Sequence, residues 1–307
     1  MDVVKARILG YCMGVRRAVE LAYRQLAVPS GRVYTVGPLI HNPHVLDDLQ
    51  RRGVEVLEEG RLPRNLSGAV VVIRAHGISP DLEAELVSLG GCIVDATCPK
   101  VKASQLKARA LAGAGYRVFL AGEARHGEIA GIRGYAPDCT IVADGDAAAL
   151  AAERLFREEP GAEAALIGQT TISSDEYAAI GEAVRSFFPS LKIIDTICGA
   201  TRDRQNALRE LCGRVDAVIV AGGRESANTR RLLAIAEASG KPAWLVENAG
   251  GIPAELASYA AVGLSAGAST PDEVIRAIET QIQQFAVNIP TDATNIPNSR
   301  FGSPDFT

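Results

Sequence analysis

Short runs of β-branched and other apolar residues alternate with amphipathic stretches along almost the whole chain. Candidate strands fall at 33–36, 69–73, 92–96, 117–121, 140–143, 164–167, 192–196, 217–221, 243–246 and 260–264. Helical patterns follow most of them; Val15, Val19, Ala22 and Leu26 form one apolar face at helical spacing. Ser79-Pro80-Asp81 sets a capping serine and a first-turn proline at the head of a helix running to Gly90. Ser269-Thr270-Pro271-Asp272-Glu273 opens the last long helix in the same manner. This alternation predicts an α/β fold with parallel sheets. The strands in each third of the chain are too many for one sheet, so several small doubly wound domains are expected.

An internal echo supports that division. Ile93-Val94-Asp95-Ala96-Thr97-Cys98 and Ile193-Ile194-Asp195-Thr196-Ile197-Cys198 share a pattern of apolar strand, Asp, small residue and Cys, at a spacing of 100 residues. Cys12 follows the apolar run Ile8-Leu9-Gly10-Tyr11 and opens a helix. Three α/β domains, each delivering one Cys from a strand end, account for all three. The expected division is 1–97 with the N-terminal strand and Cys12, 98–195, 196–285, and a tail at 286–307. That tail is rich in Pro, Asn, Thr and Ser and reads as an extended strap or as disordered.

Composition narrows the function classes. Apolar residues make up 47% and charged residues 22%, which excludes global disorder. A formal net charge of −4 leaves no excess of cations for a nucleic-acid backbone. No apolar run approaches the roughly 20 residues that span a bilayer. The N-terminal stretch meets Gly10 and Cys12 before a signal core forms, so a cytoplasmic protein is expected. In that compartment six cysteines point to metal or catalysis rather than disulfides.

Ligands of open α/β sheets gather at the carboxyl ends of the strands. Cys12, Cys98, Cys198, His41, His76, His126, Glu128 and Gln169-Thr170-Thr171 are all expected there, with the loops carrying Ser226-Ala227-Asn228 and Ser269. Three of the four histidines of the chain are in this set. The cysteine spacings match neither a zinc ribbon nor a bacterial ferredoxin run. Three distant thiols brought together suit a cluster or metal with one open position; a cysteine nucleophile at Cys12 or Cys98 beside a histidine is the competing reading. Cys92, Cys139 and Cys212 read as small buried hydrophobes, and His44 as a structural or surface residue. The two small polar loops precede helices and suit an anion such as a diphosphate, although plain N-capping asks for the same residues. Neither a P-loop nor a GxGxxG fingerprint occurs. His126 and Glu128, two apart on a loop, form a candidate proton-transfer pair, both acidic beside a bound diphosphate.

Taken in order, Gly10-Tyr11-Cys12-Met13-Gly14-Val15-Arg16-Arg17-Ala18, Gly37-Pro38-Leu39-Ile40-His41-Asn42, Arg74-Ala75-His76-Gly77, Asp95-Ala96-Thr97-Cys98-Pro99, His126-Gly127-Glu128, Gln169-Thr170-Thr171, Ile197-Cys198-Gly199-Ala200-Thr201 with Arg204-Gln205, Ser226-Ala227-Asn228 and Ala266-Gly267-Ala268-Ser269-Thr270-Pro271 resemble the LytB family of 4-hydroxy-3-methylbut-2-enyl diphosphate reductases. The resemblance implies a pseudo-threefold trefoil of three α/β domains around a [4Fe–4S] cluster. Cys12, Cys98 and Cys198 would hold it, with the fourth iron left without a protein ligand. It further implies that His41, His76, Ser226, Asn228 and Ser269 hold the diphosphate, with His126 beside it. Glu128, with Thr170, would deliver a proton to the substrate hydroxyl, and electrons would come from a donor such as ferredoxin or flavodoxin. Ala227 departs from the commoner serine, which removes one hydroxyl contact but leaves a backbone N–H. A non-catalytic iron–sulfur sensor remains an alternative on the residues alone.

Overall fold

The computed structural model describes residues 1–27 and 31–287. The chain starts with β1 (Asp2–Lys5) and α1 (Met13–Leu26), then β2 (Val33–Val36), α2 (Pro43–Arg51), β3 (Val54–Leu57), β4 (Val70–Ile73), α3 (Pro80–Ser88) and β5 (Cys92–Asp95). Next come α4 (Pro99–Gly113), β6 (Arg117–Ala121), α5 (Gly127–Arg133), β7 (Thr140–Val142), α6 (Gly145–Glu158), β8 (Ala164–Gly168), α7 (Ser174–Arg185) and β9 (Lys192–Ile193). The chain continues through α8 (Gly199–Cys212), β10 (Ala217–Ala221), α9 (Ala227–Ala238), β11 (Ala243–Val246), β12 (Ala261–Ala266) and α10 (Asp272–Val287). The expected tail lies outside the described residues from 288 onward.

The strands form three four-stranded parallel sheets, ordered β3-β2-β4-β5, β7-β6-β8-β9 and β11-β10-β12-β1. The three orders are one pattern written three times. The fourth strand of the third sheet, however, comes from the other end of the chain: Asp2 pairs with Ala261 and Lys5 with Leu264. The N-terminal strand, expected in the first domain, thus belongs with the last sheet. This closes a cycle in which each fourth strand leads through a cysteine into the first helix of the next unit. The central strands are fully apolar and buried, as in β4 (VVVI) and β10 (AVIVA), because helices cover both faces.

Local chemistry sets the helix starts. Ser79 caps α3 by accepting from Leu82 N at 3.3 Å, and Ser173 with Glu176 forms a reciprocal capping box on α7. Among the described residues no helix is long and apolar enough to cross a membrane.

Candidate active site

Each sheet reverses its direction of growth between its first and third strands, and the loops beyond those strands open a crevice. His41, His126 and Ser226 each stand five residues past the end of a first strand (Val36, Ala121 and Ala221). A glycine follows each of these strands. At Gly122 (φ 153°) a Cβ would meet the Gln169 side chain at 2.7 Å, and at Gly222 (φ 146°) it would meet Thr270 Oγ1 at 2.8 Å. Only glycine fits both the conformation and the space. The loops after the third strands bring His76, Thr170 and Ser269 to the same centre.

The cysteines follow the fourth strands with a shared geometry. The backbone N–H groups of Cys98, Cys198 and Cys12 donate to the carbonyls of Ala75 (2.9 Å), Thr170 (2.9 Å) and Ala268 (3.0 Å). Each bond ties a cysteine to the third-strand loop of its own sheet. The cysteines do not end their strands as expected; each is the N-cap of a helix (α4, α8 and α1) with no side-chain capping bond, so its sulfur is left to face the cavity. The run Ile8–Tyr11 is likewise loop rather than strand. Its backbone bridges the edge of the third sheet to the centre. Cys98 is pushed up by burial, held back by the backbone N–H groups of Lys100 and Val101, and raised again by Cys12 and Cys198. Cys98 is therefore close enough to Cys12 and Cys198 for their charges to reach it. By contrast, Cys92 is exposed at a sheet edge, correcting its expected burial, Cys139 is half-buried and Cys212 is buried.

One cavity, about 720 Å³ with its mouth included, gathers Cys12, Cys98 and Cys198 with His41, His76, His126, Glu128, Thr170, Ser226, Ala227, Asn228 and Ser269. His44 lies elsewhere, exposed and 3.4 Å from Glu273. The three cavity imidazoles pack at centroid distances of 4.5 Å (His41–His76), 5.4 Å (His41–His126) and 5.1 Å (His76–His126). His126 Nδ1 accepts from Glu128 N at 3.2 Å, which places the proton of the neutral ring on Nε2. Burial, followed by the charges of His41 and nearby arginines, lowers His126 to about 3; His41 is also lowered and His76 well below its usual value. In the free protein the imidazoles are thus neutral, so the acidic His126 expected from the sequence requires a bound anion.

His41 Nε2, His76 Nδ1 and both polar atoms of the Asn228 side chain are buried without partners. Such atoms cost stability unless a ligand meets them. The donor nitrogens of the three histidines lie within 4.8 Å of one another, a spacing that also suits a metal ion. The start of α9 at the same cavity favours an anion, because a helix N-terminus attracts negative charge. Ser226 caps this helix by accepting from Thr229 N at 3.3 Å, yet its hydroxyl hydrogen remains free to donate. Capping and anion binding are therefore compatible there. Ser269 differs: its hydroxyl donates to His41 O at 3.0 Å and must rotate to serve an anion.

Glu128 lies in the first turn of α5 rather than on a loop, and it is 2% exposed. Its Oε1 accepts from Thr170 N at 2.6 Å and its Oε2 from Thr170 Oγ1 at 2.9 Å. Both bonds favour the ionised carboxylate, but burial outweighs them and raises the group to about 7. A buried carboxyl that exchanges its proton near neutrality is suited to general acid chemistry.

The model of the family described as "LytB protein" matches residues 3–283. The chain belongs to the LytB family. It is 45% identical over 289 residues to 4-hydroxy-3-methylbut-2-enyl diphosphate reductase of Treponema denticola, covering 92% of this chain and 99% of the relative. The corresponding protein of Treponema pallidum is 42% identical over 320 residues, covering 92% and 83%. Among solved structures, the E-1-hydroxy-2-methyl-but-2-enyl-4-diphosphate reductase of Plasmodium falciparum superposes with a TM-score of 0.85 at 26% identity, covering 97% and 95%. A structure of (E)-4-hydroxy-3-methyl-but-2-enyl diphosphate reductase, described as the terminal enzyme of the non-mevalonate pathway, gives 0.66 at 35%, covering 92% and 99%.

In this LytB family chain the structure adds residues that the sequence reading gave no role. Gly14, Lys100 and Arg204 also line the cavity. Arg231 pairs with Glu123 (3.2 Å) and Glu176 (3.1 Å), and Arg230 pairs with Glu123, tying α9 to the second sheet's loop and to α7. No sequence signal marks that latch, since each of its arginine–glutamate pairs spans 55 or more residues. Gly14 carried a signal in retrospect: a glycine in the first turn of a helix, two residues after a cysteine.

Proposed function

We propose that the protein removes the allylic hydroxyl of (E)-4-hydroxy-3-methylbut-2-enyl diphosphate as water and releases isopentenyl and dimethylallyl diphosphates. One observation carries this reading: three equivalently pinned cysteines, one from each sheet, meet three neutral histidines and the unpartnered Asn228 in one cavity. The donor set fits a [4Fe–4S] cluster held by Cys12, Cys98 and Cys198. The three sulfurs stand at helix N-termini around one cavity, and Gly14 leaves room for the Cys98 sulfur. When bound, the cluster supplies the two electrons that the reaction consumes along with two protons. Small electron carriers such as ferredoxin or flavodoxin are the proposed donors.

The chain's own residues supply the rest. His41, His76, Ser226, Asn228 and the turned Ser269 hold the diphosphate, with His126 beside it and the Ala227 N–H at the α9 start. Diphosphate charge reverses the electrostatic balance at the imidazoles and draws protons onto them. Glu128 protonated at Oε2 reverses its bond to Thr170: the carboxyl donates to Oγ1, the Thr170 hydrogen turns to the departing hydroxyl, and proton transfer runs along that line from Glu128 through Oγ1. The apolar wall around these groups excludes water and protects the intermediate stages. The three-domain division supports closure around the substrate.

At Cys98 a cysteine-nucleophile reading fares worse, because burial raises that thiol whereas a nucleophile needs a lowered one. The test is anaerobic purification with iron and sulfide analysis, then turnover with a strong one-electron reductant. Cys12→Ser, Cys98→Ser and Cys198→Ser are expected to lose most iron and sulfide, whereas Cys139→Ser and Cys212→Ser keep them. Equal loss at all five, or full activity without metal, would overturn the reading. An intact cluster with bound diphosphate and no turnover would favour a sensor.

A further inference from the structure

Arg204 is the largest side chain among those fully buried, at 2% exposure, and it lines the cavity with Cys12 and Cys198. Its Nη2 donates to Gly10 O at 2.6 Å and its Nη1 to Ala200 O at 3.2 Å, while Nε is buried without a partner. Gly10 sits two residues before Cys12 and Ala200 two residues after Cys198. The guanidinium therefore clamps its own cysteine-bearing helix to the Cys12 segment through Gly10, 194 residues from Arg204 in sequence. Its neighbour Arg202 pairs with Asp195 at 2.8 Å, but among the described residues no carboxylate pairs with Arg204. A cation taken out of water without a counter-ion is strongly disfavoured, and a fold retains one only where negative charge meets it. Burial indeed works against its charge, and the groups that favour it are Cys12 and Cys198.

We propose that Arg204 is the built-in counter-cation of the iron–sulfur cluster, joining the Cys12 loop to the Cys198 helix and stabilising the reduced cluster over the oxidised one. This rests on the cluster reading above. Each electron that enters makes the cluster more negative, so a fixed cation beside two of its thiolates raises its reduction potential. Arg204 acts through the ligands and not on substrate, which makes it a positioning residue.

The experiment is a redox titration followed by electron paramagnetic resonance on anaerobic, cluster-loaded wild type, Arg204→Gln and Arg204→Lys, with iron and sulfide measured in each. Arg204→Gln is expected to lower the reduction equilibrium constant at least tenfold, 59 mV for a one-electron couple, and Arg204→Lys to recover most of it. An unchanged potential in a fully loaded Arg204→Gln protein overturns the proposal. If that variant does not retain the cluster, thermal melting of cluster-free wild type and Arg204→Met decides. Without the cluster the buried cation lacks its counter-charge, so Arg204→Met should melt no lower than wild type. A clearly lower melting point assigns Arg204 a plain packing role and overturns the proposal. Wild type that carries neither iron nor sulfide overturns the cluster reading itself, a distinguishable failure.

Discussion

Thr170 grips Glu128 twice, donating from its backbone N–H at 2.6 Å and from its hydroxyl at 2.9 Å, one bond to each carboxylate oxygen. The grip fixes the rotamer of an acid that burial has raised from 4.5 to about 7. Between those values the folded protein holds a proton that the unfolded chain has released. Stability from this group is therefore full below pH 4.5, falls as pH rises through the window, and levels off above 7 about 3 kcal/mol lower. Glu128→Gln removes the titration. Denaturant unfolding at pH 5 and pH 8 should show the variant gaining on wild type as pH rises. Its turnover should fall about 100-fold or more, the scale of a lost general acid. Near-normal turnover would remove the proton-donor role.

Thr170→Val separates the hydroxyl from the backbone donor. The lost hydroxyl bond favoured the carboxylate, so Glu128 should move above 7, and the alkaline fall in turnover should shift to higher pH. The ceiling of the profile should drop about tenfold because the relay atom is gone. Thr170→Ser keeps both donors and should behave as wild type. A profile that only scales, with no movement along pH, would place Thr170 outside the proton path.

Neutral imidazoles facing unpartnered atoms make anion binding proton-linked. His41, His76 and His126 all titrate below their usual range in the free protein, and a bound diphosphate favours their charged forms. Inorganic pyrophosphate should therefore bind with net proton uptake near neutrality, and more weakly as pH rises. Calorimetry in two buffers of different ionisation enthalpy measures this directly. His41→Asn should weaken binding about tenfold to 100-fold, the scale of one charge-assisted hydrogen bond. Binding with no proton uptake would mean the imidazoles stay neutral against the anion.

Much of this centre was legible because strand-end placement is a local property. The runs before His41, His76, His126 and Ser226 are short and apolar, and the polar residues after them fall in crevices by the rule for open sheets. Other features were not local. β1 finds its partner across the whole chain, Asp2 against Ala261, and nothing in residues 2–5 points to that edge. β3 went unread because Val54-Glu55-Val56-Leu57 is a half-exposed edge strand without clear alternation. The expected strand before Cys12 failed for a related reason: Leu9 is apolar because the loop crosses a core, where it packs against two clusters. The buried charge of Arg204 was invisible, since sequence alone gives an arginine on a helix no reason to be inside.

Gly14 offers the sharpest test of the cysteine assembly, because helix propensity and site geometry disagree there. It lies in the first turn of α1, two residues after Cys12, at a backbone conformation open to any residue. Alanine should favour the helix by up to about 1 kcal/mol. A Cβ at this position, however, would stand 2.5 Å from Cys98 Sγ and 3.0 Å from Cys98 Cβ. The sulfur would have to retreat from the centre that Cys12 and Cys198 share. Gly14→Ala should therefore fold with unchanged circular dichroism and lose a large share of its iron and sulfide. Full cluster content in that variant would mean the Cys98 sulfur needs no close approach to α1.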